Sequence, residues 1–410
     1  MTGGPLRRLT AEARTVAGDL RGDGRGWTLV SVAFGWLLVL GLRFLVPALL
    51  PQIKVEFDLD NASAGLAVTV IWATYGLAQF PAGVLVDHVG ERRLLAGSLA
   101  LGAVSLVVLW GAPVFLAFLA GCTVYGVGTG LFGPSRGMVL SRTFRERQGA
   151  AFGITLAAGS VGSAAFPFVA GLVVARWGWR TTVVLALPAL LVAAALLWRF
   201  VPERDAAESR SLSPSQYRTD LLPAVRDPTV VVAVAAVVLV LFTFQGLTAF
   251  LPTYLIEEKG LSQQTASALF AGLFLSGAGF QLVGGSFADR FGDRGVVVAL
   301  SVAGVVTLVA VPLASGLPAL TLVVLLVGSR MAIIPVSNAY IIRVLPDAVQ
   351  GSAWGLVRTV FFLVGATGSM FVGALADRGL FDESFYALAA LTGVAALLFL
   401  RLPESRSGAT

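Results

Sequence analysis

The feature that most constrains the fold of this 410-residue chain is a series of twelve long apolar segments. They cover residues 27–50, 62–86, 94–110, 113–141, 147–173, 181–200, 229–255, 263–288, 295–314, 317–343, 349–376 and 384–401. A helix needs about 20 apolar residues to cross a hydrocarbon core about 30 Å thick. Only 13% of the residues are charged, whereas soluble domains have about 25%. The sequence therefore predicts an all-α membrane protein with twelve transmembrane helices.

The two halves of the chain repeat one another. Residues 83–92, GVLVDHVGER, follow predicted helix 2, and residues 285–294, GSFADRFGDR, follow predicted helix 8 at an offset of 202 residues. The same offset maps Gln79 onto Gln281 and holds over almost a hundred residues. A constant offset over such a length indicates an internal duplication. In an apolar chain, a parallel repeat is typical of transporters in which one half moves against the other.

The repeat predicts six helices in each half. The two six-helix bundles cover residues 27–201 and 229–401. The segment between them, 202–228, is polar and contains Ser, Pro and mixed charge, which is typical of a linker. Polar tails cover residues 1–26 and 402–410. No metal-ligand cluster, nucleophile–base pair or phosphate loop is visible, so we expect neither an enzyme nor a cofactor.

The basic residues predict the orientation in the membrane. The chain has 29 Lys and Arg residues and a net charge of +6. With the N-terminus inside, only five of them lie in outer loops or at outer helix ends: Lys54, Arg176, Arg180, Lys259 and Arg378. Basic residues concentrate in the cytosolic loops of membrane proteins. We therefore expect a protein of the cell membrane, embedded in the lipid bilayer with both termini in the cytosol. Because topology explains the basic charge, no nucleic-acid partner is expected.

The duplicated loops predict a conformational latch, which we define as residues that contact one another in one state and separate in another. Glycines allow close approach and tight turns. Asp87 and Asp289 lie at helix ends, where each can pair with an Arg or with the N-terminus of a neighbouring helix. Arg136, near the cytosolic end of helix 4, is expected to contact Asp87 or to bind substrate. The predicted latch residues are Gly83, Asp87, Gly90, Arg92, Arg136, Gly285, Asp289, Gly292 and Arg294.

The loop after helix 2 and its repeat after helix 8 resemble the signature of the major facilitator superfamily. This resemblance covers the whole chain and implies two six-helix pseudo-repeats around a central cavity lined mainly by helices 1, 4, 7 and 10. The spacing of Arg43 before Pro51, and the Tyr75-Gly-x-x-Gln79 pattern of helix 2, are similar to the organophosphate–phosphate antiporters and the related anion–cation symporters. In those families the helix 1 Arg binds the anionic head of the substrate. The resemblance implies the same role for Arg43.

The chain departs from the phosphate-ester antiporters at one position. Phe244 stands where those proteins carry a second Arg opposite the helix 1 Arg. A paired Arg clamp on a phosphate group is therefore not expected at this position. This difference makes a phosphate ester a less suitable substrate.

Charged residues within the apolar segments are the candidates for substrate binding, since an ionisable group in a membrane span is costly unless it faces a cavity or a partner. They are Arg43, Arg330 and Arg358. Structural pairing is an equally good interpretation of Arg330 and Arg358. The polar candidates, chosen by helix membership, are Tyr75, Gln79, Gln245 and Asn338. Each has helix packing as its alternative role.

No acidic residue lies in the middle of a predicted span, and the only histidine, His88, lies in a loop. A cationic cavity without carboxylates should attract anions. We therefore predict a monomeric transporter, secondary active or facilitative, that moves a small organic anion by alternating access. Two alternatives stay open: an exporter of hydrophobic compounds or drugs on the same fold, and a membrane sensor that binds an anion without moving it.

The latch hypothesis makes a testable prediction. Asp87→Asn and Asp289→Asn should change the balance between inward-open and outward-open states while leaving the fold intact, because each removes a charge from a contact present in only one state. The accessibility of introduced cysteines from each side of the membrane measures this balance. Identical labelling of the wild type and both variants would contradict the hypothesis.

Overall fold

We describe the protein from a computed structural model, which covers residues 22–203, 221–346 and 349–404. The first half contains α1 (Arg25–Phe57), α2 (Asn61–Val89), α3 (Glu91–Gly111), α4 (Phe115–Thr143), α5 (Gln148–Val184) and α6 (Leu187–Phe200). The second half contains α7 (Pro228–Glu257), α8 (Gln263–Phe291), α9 (Asp293–Leu313), α10 (Leu317–Val344), α11 (Gln350–Ala376) and α12 (Phe381–Leu400). These helices confirm the predicted all-α fold of twelve membrane helices.

The polar segments are only partly described. Residues 1–21 and 405–410, in the predicted tails, and 204–220, in the predicted linker, lie outside the described residues. Within the predicted linker, Leu222–Arg226 forms one short helix just before α7.

The fifth and sixth membrane crossings are separated by a shorter break than the sequence predicts, and this break lies within α5. The run Gln148–Phe200 contains 53 residues, which at 1.5 Å per residue would reach about 80 Å as one straight helix. The backbone turns at Gly178, whose φ of 72° and ψ of 165° are not helical. The predicted gap of 174–180 is therefore helical up to this glycine. Two membrane crossings are joined by a kink of one residue and a short turn.

The first helix is longer than its apolar segment. It continues seven residues beyond the predicted end at 50 and stops at Asp58, which has a positive φ of 51°. Its last turns carry Gln52, Lys54 and Glu56, which a hydropathy pattern excludes from a membrane span. The backbone hydrogen bonds of a helix do not require apolar side chains, so the helix extends past the apolar core.

The helix α10 changes to a 3₁₀ turn over Gly328–Ala332 in the middle of its length. A mid-helix 3₁₀ stretch has less regular hydrogen bonding. Side chains of α8 donate hydrogen bonds to carbonyl groups in and just before this stretch. Gln281 Nε2 donates to the Met331 oxygen at 3.1 Å, and Ser276 Oγ donates to the Leu325 oxygen at 2.8 Å. In the first half, the repeat partner Gln79 donates to the Gly130 oxygen of α4 at 3.1 Å. The duplicated glutamines therefore hold equivalent helix pairs together.

The halves are bonded to each other at one end of the bundle, which we call the closed end and define by Lys54, Asn61, Glu257 and Asp377. The Asp377 carboxylate, after α11, accepts the backbone N–H groups of Asn61 and Ala62 at 2.7 and 2.8 Å. Lys54 Nζ donates to Glu257 at 2.8 Å and to the Asn61 side chain at 2.5 Å. These bonds connect α1 and α2 of the first half with α7 and α11 of the second.

The opposite end, which carries Gly90 and Gly292, is the open end. The hydrogen bonds between described residues of the two halves reach no nearer to it than Thr359 Oγ1 to the Gly76 oxygen, at 3.3 Å. A Cβ atom added at Gly83 or Gly285 would meet no heavy atom within 4 Å. Among the described residues, the halves are therefore hydrogen-bonded to each other at the closed end and not at the open end.

The closed end predicts a shift in conformation when Asp377 is replaced. Asp377→Ala should favour separation of the halves by about 1 kcal/mol, or about fivefold in population, because the carboxylate acts as an N-cap for α2 only when the halves meet. A cysteine at Ser369, fully buried in this interface, reports the change through its labelling rate after Cys122→Ala removes the native thiol. Glu258→Ala is the control, since it removes a neighbouring acid that has no hydrogen bond to the first half among the described residues. Equal labelling of the Asp377→Ala and Glu258→Ala proteins would contradict the prediction.

Candidate functional site

Arg43 lies in the middle of α1, and its side chain is almost fully buried at 2% exposure. Its guanidinium lies over the rings of Trp72 and Tyr75, at 4.5 and 4.0 Å from the ring centroids. Nη2 donates to the Thr129 hydroxyl of α4 at 3.3 Å, and Nε has no acceptor among the described residues. Aromatic faces and a hydroxyl attract a cation without neutralising it. The Arg43 charge therefore stays available to an anion.

Arg136 of α4 contacts an aromatic ring of α1 in the state described here. Its guanidinium lies over Trp36 of α1, 4.0 Å from the ring centroid. The residue lies seven positions before the end of α4 at Thr143, about 10 Å inside the helix, where an aromatic face is within reach. Its Nε and Nη1 are buried and have no acceptor among the described residues. Arg136 thus lies towards the centre of the bundle, and the side chain of its predicted partner Asp87 lies outside what the structure describes.

Arg358 of α11 supplies a cation from the second half. Its guanidinium lies 5.4 Å from the centroid of Phe362, one turn further along the same helix, and 5.8 Å from that of Trp354. Its Nε is also buried, without an acceptor in the described part of the chain. Like the other two arginines, Arg358 is in contact with aromatic rings and has unused donors.

These three residues, Arg43, Arg136 and Arg358, form what we call the arginine cluster. The three residues meet around Tyr75. Arg43 lies over the Tyr75 ring, and the Tyr75 hydroxyl lies 3.6 Å from the position that a Cβ atom would take at Gly133, one turn before Arg136. The same ring meets Phe362, which Arg358 contacts from the second half. Because two members belong to the first half and one to the second, the cluster spans the boundary between halves.

An aromatic layer lies next to the cluster and joins the two halves. Trp72 of α2 stacks on Phe362 of α11 with centroids 5.7 Å apart and planes inclined by 11°. Tyr75 meets the same Phe362 ring edge to face at 4.9 Å. Both Arg43 and Arg358 contact this layer, so a change in either guanidinium acts directly on a contact between the halves.

No carboxylate pairs with the arginine cluster among the described residues. The ion pairs of the described residues lie near the helix ends, for example Lys54–Glu257 at the closed end and Arg142–Glu91 near the open end. Burying a charge without a partner costs several kcal/mol, even after the protein and water adjust. Three such charges together make a site that is favourable for anions and repels cations.

The other predicted substrate residues are not all at the cluster. Gln79 is buried and is held by its hydrogen bond to α4. Its amide group and the Tyr75 hydroxyl both lie next to Gly133. Gln245 is fully buried, and both amide atoms lack partners among the described residues. The Asn338 side-chain oxygen is likewise buried and unpartnered there.

Arg330 is directed into the second half. Its guanidinium donates to the Thr243 and Thr392 hydroxyls, at 2.6 and 3.0 Å, and lies against Gly304. These contacts lie between α7, α9 and α12, so the residue fits its structural alternative better than a role in substrate binding.

The predicted latch residues at the open end bond within their own halves. Gly90 and Gly292 have φ values of 87° and 83°, as their tight turns require. Arg92 donates to Glu203, after α6, at 3.2 Å, and Arg294 donates to Glu404, after α12. Each loop is thereby attached to the end of its own bundle. The Asp289 side chain is exposed, so a latch across the open end stays a prediction for another state.

Sequence reasoning named Tyr75 but missed the other aromatic partners of the arginines. Trp72, Tyr75 and Gln79 follow one another at spacings of three and four residues, as do Arg358 and Phe362 at four. Residues with these spacings share one face of a helix. The spacing therefore predicts which residues share a helix face, but it does not distinguish a face towards the centre of the bundle from a face towards the lipid.

Comparison with known proteins establishes the family. The model of the Major Facilitator Superfamily matches residues 32–329 and 234–410. The chain belongs to this superfamily of membrane transporters.

Its relatives differ in the compounds that their names mention. The chain is 27% identical to the fosmidomycin resistance protein of Escherichia coli K12 over 97% of this chain and 95% of that protein. It is 27% identical to the multi-drug resistance efflux pump PmrA of Streptococcus pneumoniae, covering 79% and 82% of the two chains. It is 24% identical to the cis,cis-muconate transport protein of Acinetobacter baylyi, covering 86% and 88%.

Two solved structures share the fold. A bacterial homologue of the human lysosomal transporter Spinster, described as inward-facing and unoccupied, superposes with a TM-score of 0.77 at 17% identity, over 92% of this chain and 96% of that one. The nucleoside transporter NupG, solved as a single-site mutant, gives a TM-score of 0.78 at 15% identity, over 92% and 99%. At these identities the likeness concerns the fold alone.

Proposed function

We propose that this protein carries small organic anions across the cell membrane by alternating access, with the arginine cluster as the anion site. The observation that carries the proposal is the convergence of three arginines with unused donors around Tyr75, at the boundary between halves and without a carboxylate partner among the described residues. Arg binds carboxylate and phosphate groups through two parallel hydrogen bonds. A bound anion would supply the acceptors that the described residues do not supply.

The open end is proposed to face the cytosol. The basic residues predicted on that side include Arg92, Arg93, Arg142, Arg145, Arg147, Arg290, Arg294 and Arg343. The helix ends and loops of the closed end carry fewer basic residues. Since basic residues concentrate on the cytosolic side of membrane proteins, the open end is assigned to that side. The protein is then inward-facing, and an anion enters the site from the cytosol in this state.

The charge of the site favours exchange. To close the open end around an empty cluster, the protein must bury the half-buried Arg136 and Arg358 completely, beside Arg43, which is already buried. Each unneutralised cation costs several kcal/mol before compensation. A bound anion offsets this cost in either direction. Arg does not release its proton in proteins, and the described parts of the spans hold no carboxylate or histidine near the cluster. We infer that anion replaces anion, without a proton site of the protein's own.

Export of hydrophobic compounds or drugs is the second candidate function, and the name of one relative, a multi-drug resistance efflux pump, favours it. A site for uncharged or cationic drugs would gain nothing from three unpaired arginines. The name of the third relative, a cis,cis-muconate transport protein, agrees with an anionic substrate. A sensor that binds without transporting is distinguished from a carrier only by movement of the anion.

Reconstituted vesicles test the proposal. Purified protein in liposomes loaded with an organic anion should exchange it for radiolabelled organic anions added outside, with no pH gradient and after addition of a protonophore. The physical reason is that the arginines stay charged across the working pH range. Uptake of hydrophobic cations instead of anions would favour the drug exporter, binding without uptake would favour the sensor, and exchange that stops with the protonophore would refute proton-independent exchange.

Substitution of Arg43 tests the site itself. Arg43→Gln should reduce the apparent affinity for the anion about tenfold or more, since a hydrogen bond to a charged group contributes about 1.5–3 kcal/mol. Arg43→Lys should also be impaired, because an ammonium cannot make the bidentate contact. The measurement is the concentration dependence of exchange. Unchanged apparent affinity in Arg43→Gln would show that this residue does not bind the anion.

A further inference from the structure

Arg136 and Arg358 approach the Tyr75 side chain from opposite halves and carry the same charge. The Tyr75 hydroxyl lies 3.6 Å from the position that a Cβ atom would take at Gly133, one turn before Arg136, and the Tyr75 ring lies 4.9 Å from Phe362, the ring that Arg358 contacts. Neither has an ion-pair partner among the described residues, and their buried donors without acceptors are Nε and Nη1 of Arg136 and Nε of Arg358. In the state described here, this repulsion opposes approach of the halves at the open end. Any state closed at that end requires something negative between the two guanidinium groups.

Arg43 is placed differently within the same cluster. It contacts two rings and one hydroxyl of the first half. Its unused donor is Nε, and its link to the second half among the described residues runs through the Trp72–Phe362 stack. Arg43 therefore forms a second position for an acidic group, beside the position between Arg136 and Arg358.

We propose that the carried anion has two negative charges, one held between Arg136 and Arg358 and the other on Arg43. This inference rests on the proposed function and specifies its substrate class as small dianions. The charge between Arg136 and Arg358 converts a repulsion between halves into two attractions and allows the open end to close. The charge on Arg43 anchors the anion to the first half.

A monoanion fills only one of these positions. If it binds at Arg43, the two other arginines still repel each other. If it binds between them, the buried Arg43 keeps a charge without a negative partner, which is costly. Arg358 is thus the residue that determines specificity for the second charge, because it is the only member of the cluster contributed by the second half.

Ligand-induced thermal stabilisation of the purified full-length protein tests the inference. The probes are succinate, glutarate and adipate, each compared with its own monoamide, which has the same length and one charge fewer. Methylphosphonate at alkaline pH is a further probe, with both charges on one group. The diacids should bind about tenfold or more tightly than their monoamides, since each lost contact is a hydrogen bond to a charged group. Stronger binding of methylphosphonate than of every diacid would overturn the two-position arrangement, because both charges would then belong to a single group.

The variant Arg358→Gln should bind each diacid as weakly as its monoamide, whereas the binding of the monoamide should change little. Arg378→Gln is the matched control, because it removes the same charge beyond the end of the same helix, where Arg378 donates to the Ala374 oxygen. This control should keep the full preference for diacids. A folded Arg358→Gln protein, recognised by a melting temperature without ligand that is not lowered, that still prefers diacids would overturn the inference.

The other outcomes are also decisive. Equal binding of a diacid and its monoamide by the wild type would overturn the dianion inference while leaving anion transport intact. Binding of neither diacids, monoamides nor methylphosphonate, together with no anion exchange in liposomes, would refute the proposed function itself.

Discussion

The structure depends on positive charge that is held in the middle of a membrane protein without a negative partner among the described residues. The arginine cluster is surrounded by aromatic faces, which attract cations by about 2 kcal/mol or more when desolvated. Each member uses them: Arg43 contacts Trp72 and Tyr75, Arg136 contacts Trp36, and Arg358 contacts Phe362 and Trp354. These contacts keep the guanidinium groups in place, and they leave the net charge unchanged. The site is therefore suited to receive an anion.

The duplicated fold puts this charge where movement occurs. Helices α2 and α11 pack against each other across the boundary, through Thr69 bonded to the Ala366 oxygen and to Ser369, at 2.9 and 2.8 Å. The closed end adds the Asp377 cap, whereas at the open end each duplicated loop is bonded to its own half. The two bundles can thus move as units, and the arginine cluster lies between the closed end and the open end.

The sequence predicted the fold and part of the site. Twelve apolar segments were sufficient to predict the membrane helices, and one constant offset was sufficient to predict the repeat. Arg43 and Arg358 were found from the cost of a charge inside a span. For Arg136, near a helix end, the sequence left a latch contact and substrate binding open, because the position of its side chain depends on Trp36 of another helix. Arg330 has the same sequence signal as Arg43, and only packing shows that it bonds to Thr243 and Thr392.

The most direct test of the account is a distance measured across the open end. Spin labels at Ile154 of α5 and Phe287 of α8, both exposed and in opposite halves, report the separation of the bundles by pulsed electron paramagnetic resonance. If an anion between Arg136 and Arg358 draws the halves together, a saturating concentration of the anion that exchanges fastest should shorten this distance. In the Arg358→Gln protein the same anion should leave it unchanged. A distance distribution that is identical with and without bound anion in the wild type would contradict the account.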